Sequence, residues 1–133
     1  MGDRVTATAK ATREAVAAAI RSVVPDKWVV YAWPHTIESL PCVIVEPRAP
    51  YQERGSFRER DLHLGLTVLH PVATGEYGGA VVDDLLDDLL PALDQVADQG
   101  IAWVRVSSVG DATERAGRTA VGASIDLSPI AIT

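Results

Sequence analysis

The sequence is poor in the residues that build the commonest chemical sites. It contains one cysteine, Cys42, which excludes an internal disulfide and leaves too few thiolates for a cysteine-based metal site. Because valine and isoleucine follow it, we interpret Cys42 as a small buried strand residue. Asparagine is absent, and lysine occurs only as Lys10 and Lys27. This arginine-biased composition is typical of a GC-rich genome and indicates no particular chemistry.

Excess positive charge and long apolar runs are also missing. The formal net charge is −6, whereas proteins that grip a nucleic-acid backbone normally carry a basic patch and a high isoelectric point. No run approaches the ~20 apolar residues of a membrane helix, and the first residues lack the basic-then-apolar layout of a signal peptide. We therefore expect a soluble, unexported protein that binds no membrane and has no specific grip on DNA.

The motifs of hydrolytic and nucleotide-binding enzymes are missing from the sequence. It has no Gly-x-Ser-x-Gly elbow, no P-loop and no dinucleotide fingerprint. The three histidines, His35, His63 and His70, show none of the usual metal-ligand spacings. We expect no enzyme activity, no catalytic residue, no metal and no cofactor.

Apolar residues make up 47% of the 133 residues, which suits one compact domain spanning 1–133. The clearest element is an amphipathic helix over 74–100, where pairs of apolar residues alternate with pairs of aspartates. The aspartates Asp83, Asp84, Asp87 and Asp88 are interpreted as a solvated helix face rather than a cation site. Pro91 lies inside this pattern and predicts a kink or a restart, and Gly100 supplies a left-handed end.

A second amphipathic helix is predicted over 3–24, with Pro25 ending it. Its apolar face contains Ala9, Val16 and Ile20, and its charged residues, Arg13 among them, are placed on the surface.

Five strands are predicted around these helices, at 28–33, 42–46, 58–70, 101–109 and 121–127. The segment 47–57 reads as a long exposed connection with an extended hairpin tip as one option, 110–117 as a polar turn, and Pro129 as a mark of an edge or bulge. Short links favour antiparallel neighbours. The order α-β-β-β-α-β-β therefore predicts an α+β fold, with two helices on one face of a mainly antiparallel sheet of about five strands.

Five stretches of the sequence, taken in chain order, have distinctive residue patterns. They are an Ala-rich first helix, Trp-Val-Val-Tyr-Ala-Trp-Pro at 28–34, Pro-Cys-Val-Ile-Val at 41–45, a Leu-x-Leu-x-Leu-x-Val strand that ends at His70-Pro71, and Val-Val-Asp-Asp-Leu-Leu-Asp-Asp-Leu-Leu at 81–90. Together they resemble the tail terminator proteins of long-tailed bacteriophages, and in particular those of phages of high-GC bacteria. The resemblance covers most of the chain, although this family has no catalytic signature.

The resemblance implies a structural, non-enzymatic protein that forms a homohexameric ring on the last ring of the tail tube. Such a ring stops tube polymerisation and offers a joint to the head-tail connector protein, while DNA passes through its lumen without specific binding. The partners would be further copies of the chain, the major tail tube protein and the connector. The location would be the head-proximal end of the virion tail, after assembly in the bacterial cytoplasm.

Five residues are candidates for the subunit or partner interface. Tyr51, Arg54 and Phe57 are chosen because aromatic residues and arginine are favoured interface anchors. Ile130 and Ile132 follow Pro129 and would give an apolar tail that lies on a neighbour. Exposed sheet edges and the 47–57 segment offer strand addition or hairpin exchange.

Two alternatives remain open at this point. The first is another connector or neck ring protein of the same phage, which would differ in its partner rather than in its chemistry. The second is a small ferredoxin-like dimer that binds haem or another small ligand, with His63 or His70 as the ligating residue.

Overall fold

A computed structural model describes residues 7–34, 39–55, 58–72, 78–115 and 118–133 of the chain. The elements in chain order are α1 (Ala9–Val23), β1 (Val29–Tyr31), β2 (Cys42–Arg54), β3 (Arg60–Pro71), α2 (Gly78–Asp94), a 3₁₀ helix (Ala97–Gln99), β4 (Trp103–Arg115), β5 (Arg118–Leu127) and β6 (Ile130–Ile132).

The strands form one sheet in the spatial order β1-β2-β3-β5-β4. Strand β1 is parallel to β2, and the other pairs are antiparallel. Strand β6 also pairs with β3. Gly65 of β3 lies opposite Asp126 of β5, and Leu62, three residues earlier in β3, lies opposite Ile130 of β6. Strand β6 therefore continues the line of β5 after an interruption at Ser128 and Pro129, as expected of a proline that tolerates only an edge or a bulge.

Both helices pack on one face of this sheet, and the predicted α+β class is confirmed. The core between them consists of alternate strand residues and the apolar stripes of α1 and α2. Its largest fully buried side chains are Ile20, Leu62, Leu64, Leu66, Leu89, Leu93, Ile125 and Ile132, whereas the equally buried Ile44 lies in a separate cluster with Cys42 and Leu69. The sheet has six strands rather than five because the apolar end of the chain pairs with β3 instead of forming a tail.

Helix α1 begins at Ala9, with the Thr8 side chain accepting a hydrogen bond from the Ala11 amide at 3.2 Å. The prediction that Arg13 lies on the surface is wrong, because its side chain is 6% exposed. Its Nε donates to the Ala32 carbonyl at 2.6 Å and its Nη2 to the Val45 carbonyl at 2.8 Å. The guanidinium thus ties the helix to the backbone at β1 and β2.

Helix α2 confirms the predicted division into an apolar and an acidic face. Val82, Leu85 and Leu89 are buried, while the four paired aspartates at 83, 84, 87 and 88 are exposed. Of the two predicted effects of Pro91, a kink or a restart, the restart does not occur. Helix α2 runs through Pro91 and ends three residues later, at Asp94. After α2 the backbone forms the 3₁₀ helix, which ends at Gly100. Gly100 has the predicted left-handed conformation, with φ 83°. The start of the prediction, 74–77, lies outside the described residues.

Two predicted loops are largely strand. Strand β2 continues to Arg54, and its pairing with β3 is interrupted only between Pro47 and Gln52. We call residues 48–51, which bulge out of the ladder there, the excursion. Strand β4 likewise extends to Arg115, and its register against β5 shifts at three places. The local sequence of both segments favours turns, but long-range pairing with β3 and β5 satisfies their backbone groups.

Candidate interaction surfaces

The excursion on β2 is fastened to the sheet by Arg48. The Arg48 Nε donates to Oδ1 of Asp126 at 3.0 Å, and its Nη2 lies 3.3 Å from the Leu66 carbonyl oxygen. Arg105 approaches the other carboxylate oxygen of Asp126 at 3.5 Å. This network lies on the sheet face away from the helices, and it leaves the candidate Tyr51 at the end of the excursion with 38% of its surface exposed.

Beyond the excursion, β2 and β3 form a hairpin whose outer end we call the arm, residues 52–55 and 58–60. Arg54 lies directly opposite Arg60 in the ladder. The Gly55 amide donates to the Glu59 carbonyl at 3.0 Å, and Arg60 donates to the Gln52 side chain at 2.6 Å and to the Thr133 carbonyl. The candidate Arg54 is exposed on a strand that stays paired with β3 up to Arg60. Phe57 lies outside the described residues.

The two apolar candidates near the end of the chain serve the subunit's own core. Ile132 has 0% exposure and lies among the core residues, while Ile130 is half-buried against them. The expectation that both side chains lie on a neighbour is wrong for Ile132, because β6 pairs with β3 and turns this residue toward the helices. Ile130 keeps some exposed surface.

The two sheet edges are both modified in ways that oppose strand addition. At the β1 edge, Arg21 donates to the Val30 carbonyl at 2.9 Å and Arg13 occupies the Ala32 carbonyl. At the β4 edge, three register shifts bend the strand, although Val104 and Val109 remain 48% and 55% exposed. Side-chain caps and bulges are known means of blunting an edge. Continuous sheet extension at β1 is therefore disfavoured.

A cleft of about 620 Å³ lies where α2 passes the far end of β3. Its lining residues are Pro25, Lys27, Trp28, His70, Val81, Asp84, Leu85 and Asp88. Trp28 and Leu85 are buried and form apolar walls, whereas Lys27 and the two aspartates are exposed at the rim. The rings of Trp28 and His70 lie with their centroids 5.7 Å apart, tilted by 54°.

The described histidines are both held by neighbouring groups. His63 Nε2 lies 2.9 Å from a carboxylate oxygen of Glu53, and His70 Nδ1 donates to the Pro71 carbonyl at 2.8 Å. Within the described ranges, no group of three histidine, cysteine, aspartate or glutamate side chains is placed to hold a metal ion. The third histidine, His35, lies outside the described residues.

Among the described residues, neither α1 nor α2, nor the 3₁₀ turn between Ala97 and Gln99, combines the length and apolar character that a membrane crossing needs.

No protein-family model matches this chain, and a comparison with curated proteins finds no similar sequence.

Of the sequence candidates, Arg54 lies in the arm and Tyr51 in the excursion, whereas sequence reasoning gave no sign of the cleft or of the buried role of Arg13. Trp28 and His70 are distant in sequence and meet only because β3 ends beside the α1–β1 connection. The pairing of Asp84 with Asp88 on one side of a helix was the available signal, but it does not reveal what lies beside it.

Proposed function

We propose that this chain is a structural tail terminator of a long-tailed bacteriophage, which forms a homohexameric ring on the end of the tail tube. The ring stops tube polymerisation and provides the joint to the head-tail connector protein. Its role is mechanical, with no catalytic residue and no cofactor. The proposed location is the head-proximal end of the virion tail, after assembly in the bacterial cytoplasm.

The observation that carries this proposal is the arrangement of elements. The resemblance of the sequence to tail terminators implies a helix, three strands, a helix and further strands. The chain has this order, with both helices on one face of the sheet. The motifs at 28–34, 41–45 and 81–90 supply β1, the start of β2 and the acidic face of α2. Proteins with one fold can have many functions. The proposal therefore depends on the fold together with the residue patterns of these motifs.

The charge of the chain is compatible with a ring through which DNA passes. Each subunit has a formal net charge of −6. Six acidic subunits would repel a phosphate backbone, so DNA would cross the lumen without adhering to it. The chain has 12 lysines and arginines against 18 aspartates and glutamates. This balance also disfavours a role in binding the DNA backbone.

A different ring of the phage neck is the nearest competing assignment, and the partner separates the two. A terminator binds the tail tube protein, whereas a connector-side ring binds the head connector and leaves tube growth unaffected.

The test is to add the purified chain to a major tail tube protein, encoded in the same genome, while that protein polymerises. Tube lengths are measured by negative-stain electron microscopy, with an unrelated acidic protein of similar size as the control. We expect growth to stop, with a ring at one end of each tube. Tubes that grow to the same length with the chain as with the control would overturn the proposal.

A further inference from the structure

We propose that the arm of one subunit binds in the cleft of a second copy of this chain, with Arg54 facing Asp84 and Asp88. This inference rests on the proposed ring and specifies the two surfaces that join its subunits.

The arm contains three arginines, at 54, 58 and 60, against Glu53 and Glu59, and Glu53 lies against His63. Arg54 and Arg60 are direct cross-strand neighbours, and like charges in that position are destabilising. Arg60 has acceptors in Gln52 and Thr133, whereas Arg54 has no hydrogen-bond or ion-pair partner among the described residues. A carboxylate from outside the subunit would relieve this repulsion.

The cleft carries a net negative charge, because Asp84 and Asp88 outnumber Lys27, the exposed cation at its rim. Asp84 and Asp88 are one helical turn apart, both are exposed, and like charges at this spacing destabilise a helix. Their neighbours in the cleft include the buried apolar surfaces of Trp28 and Leu85. An arginine suits such a site, because its guanidinium pairs with carboxylates while its aliphatic stem covers apolar surface.

The two surfaces lie at opposite ends of the same strand. The arm is at the Arg60 end of β3 and His70 of the cleft is near the other end, which at 3.3 Å per residue separates them by roughly 30 Å. An arm therefore cannot reach the cleft of its own subunit. Contact between unlike surfaces of identical subunits is head-to-tail, which is the type that generates closed rings when the rotation closes.

Hydrogen bonds within the arm and caps on the β1 edge favour this contact over strand addition. The arm backbone is held by the bond from the Gly55 amide to the Glu59 carbonyl and by the bond from Arg60 to Gln52, so that the Arg54 side chain is the group that is immobilised on docking. The β1 edge of the sheet, in contrast, is already occupied by Arg13 and Arg21.

The experiment is charge reversal, read as the association midpoint in light scattering over a concentration series. Arg54→Glu reverses the arm, and the double variant Asp84→Arg with Asp88→Arg reverses the cleft. We expect each to weaken association by about tenfold or more, because close interfacial charge pairs have large coupling energies. An equimolar mixture of the two variants is expected to recover association, since every arm then meets a cleft of opposite charge.

A matched control comes from the same helix. Asp83→Arg with Asp87→Arg makes the same change in charge at the same spacing, at residues that do not line the cleft. We expect this variant to associate like the original chain. Arg54→Lys keeps the charge and is expected to lose less than Arg54→Glu. Unfolding midpoints check that each variant is folded.

Three results would overturn the inference: an unchanged midpoint for Arg54→Glu, equal effects of the two double-aspartate variants, or no recovery in the mixture. A chain that stays monomeric at every concentration would overturn it as well. The tube-capping assay separates this failure from failure of the proposed function. A chain that caps tubes but is indifferent to these substitutions remains a terminator that is joined by other surfaces.

Discussion

Arg48 reaches Asp126 across the backbone of Gly65, with 3.0 Å between Nε and Oδ1. A Cβ atom placed on Gly65 would lie 2.3 Å from that nitrogen, so the contact requires a residue without a side chain. Because Asp126 is opposite Gly65 in the ladder, the bridge fastens the excursion of β2 to β5 over the intervening strand.

Gly65→Ala is expected to displace the flexible guanidinium and break its bridge to Asp126, which lowers the free energy of unfolding by no more than about 1 kcal/mol because both partners are partly exposed. The measurement is urea unfolding followed by tryptophan fluorescence. In an Arg48→Ala background the same change should cost much less, because the obstructing group is gone. Equal costs in the two backgrounds would show that Arg48 does not cross Gly65.

Two other glycines serve as controls for that experiment. A Cβ on Gly122 would lie 2.6 Å from the Val68 carbonyl oxygen, which is backbone and cannot swing away, so Arg48→Ala should not rescue Gly122→Ala. A Cβ on Gly79 in α2 meets nothing within 4 Å. Gly79→Ala is therefore expected to leave stability unchanged or to raise it by up to about 1 kcal/mol.

Arg13→Ala is expected to destabilise the subunit by about 2–4 kcal/mol. It removes two charge-assisted hydrogen bonds and leaves the carbonyls of Ala32 and Val45 without this donor. Arg21→Ala is the comparison, because Arg21 is exposed and makes one such bond, to Val30. Its cost should be about 0.5–1.5 kcal/mol. A larger loss for Arg21 than for Arg13 in chemical unfolding would contradict the assigned burial.

Ile132→Ala is expected to cost about 2–5 kcal/mol of unfolding free energy, because the side chain is fully buried in the core. The loss should not depend on protein concentration, as the residue acts within one subunit. Ile130→Ala should cost less, since Ile130 is half-buried. If Ile132→Ala changed the association midpoint while leaving unfolding of the monomer unaffected, the residue would belong to an interface instead.

Tyr51→Ala is expected to weaken assembly while changing subunit stability by no more than about 0.5 kcal/mol, and the double variant Arg54→Ala with Phe57→Ala to weaken assembly without unfolding the subunit. Tyr51 and Arg54 are exposed, and Phe57 enters on the sequence alone as an aromatic next to them. Light scattering and thermal unfolding on the same samples make the comparison. An unchanged oligomeric mass in both variants would remove these residues from the interface.

The fold class could be predicted because periodicity records which side of each element is buried. Leu62, Leu64 and Leu66 alternate with half-buried or small residues along β3, and the leucine and aspartate pairs of α2 follow its turns. These patterns are visible in the sequence because β3 and α2 each have one face on the core. The ends of β2 and β4 were missed, since their partners lie elsewhere in the chain and turn-forming residues dominate locally.

The candidate surfaces could be predicted only in part. Tyr51 and Arg54 follow from residue preference, because exposed aromatics and arginines in a polar segment stand out in a sequence. The cleft could not be found in this way, as Trp28 and His70 come together only through the fold. Arg13 was misplaced because a charged residue on a helix is usually solvated, and only the nearby carbonyls of Ala32 and Val45 make its burial favourable.

The most direct test of the central claim is the solution mass of the purified chain, measured by light scattering after size exclusion over a concentration series. We predict a species at about six times the 14.2 kDa chain mass. A stable dimer with a visible absorption band, lost when His63 or His70 is replaced by alanine, would contradict it and favour a small ligand-binding protein.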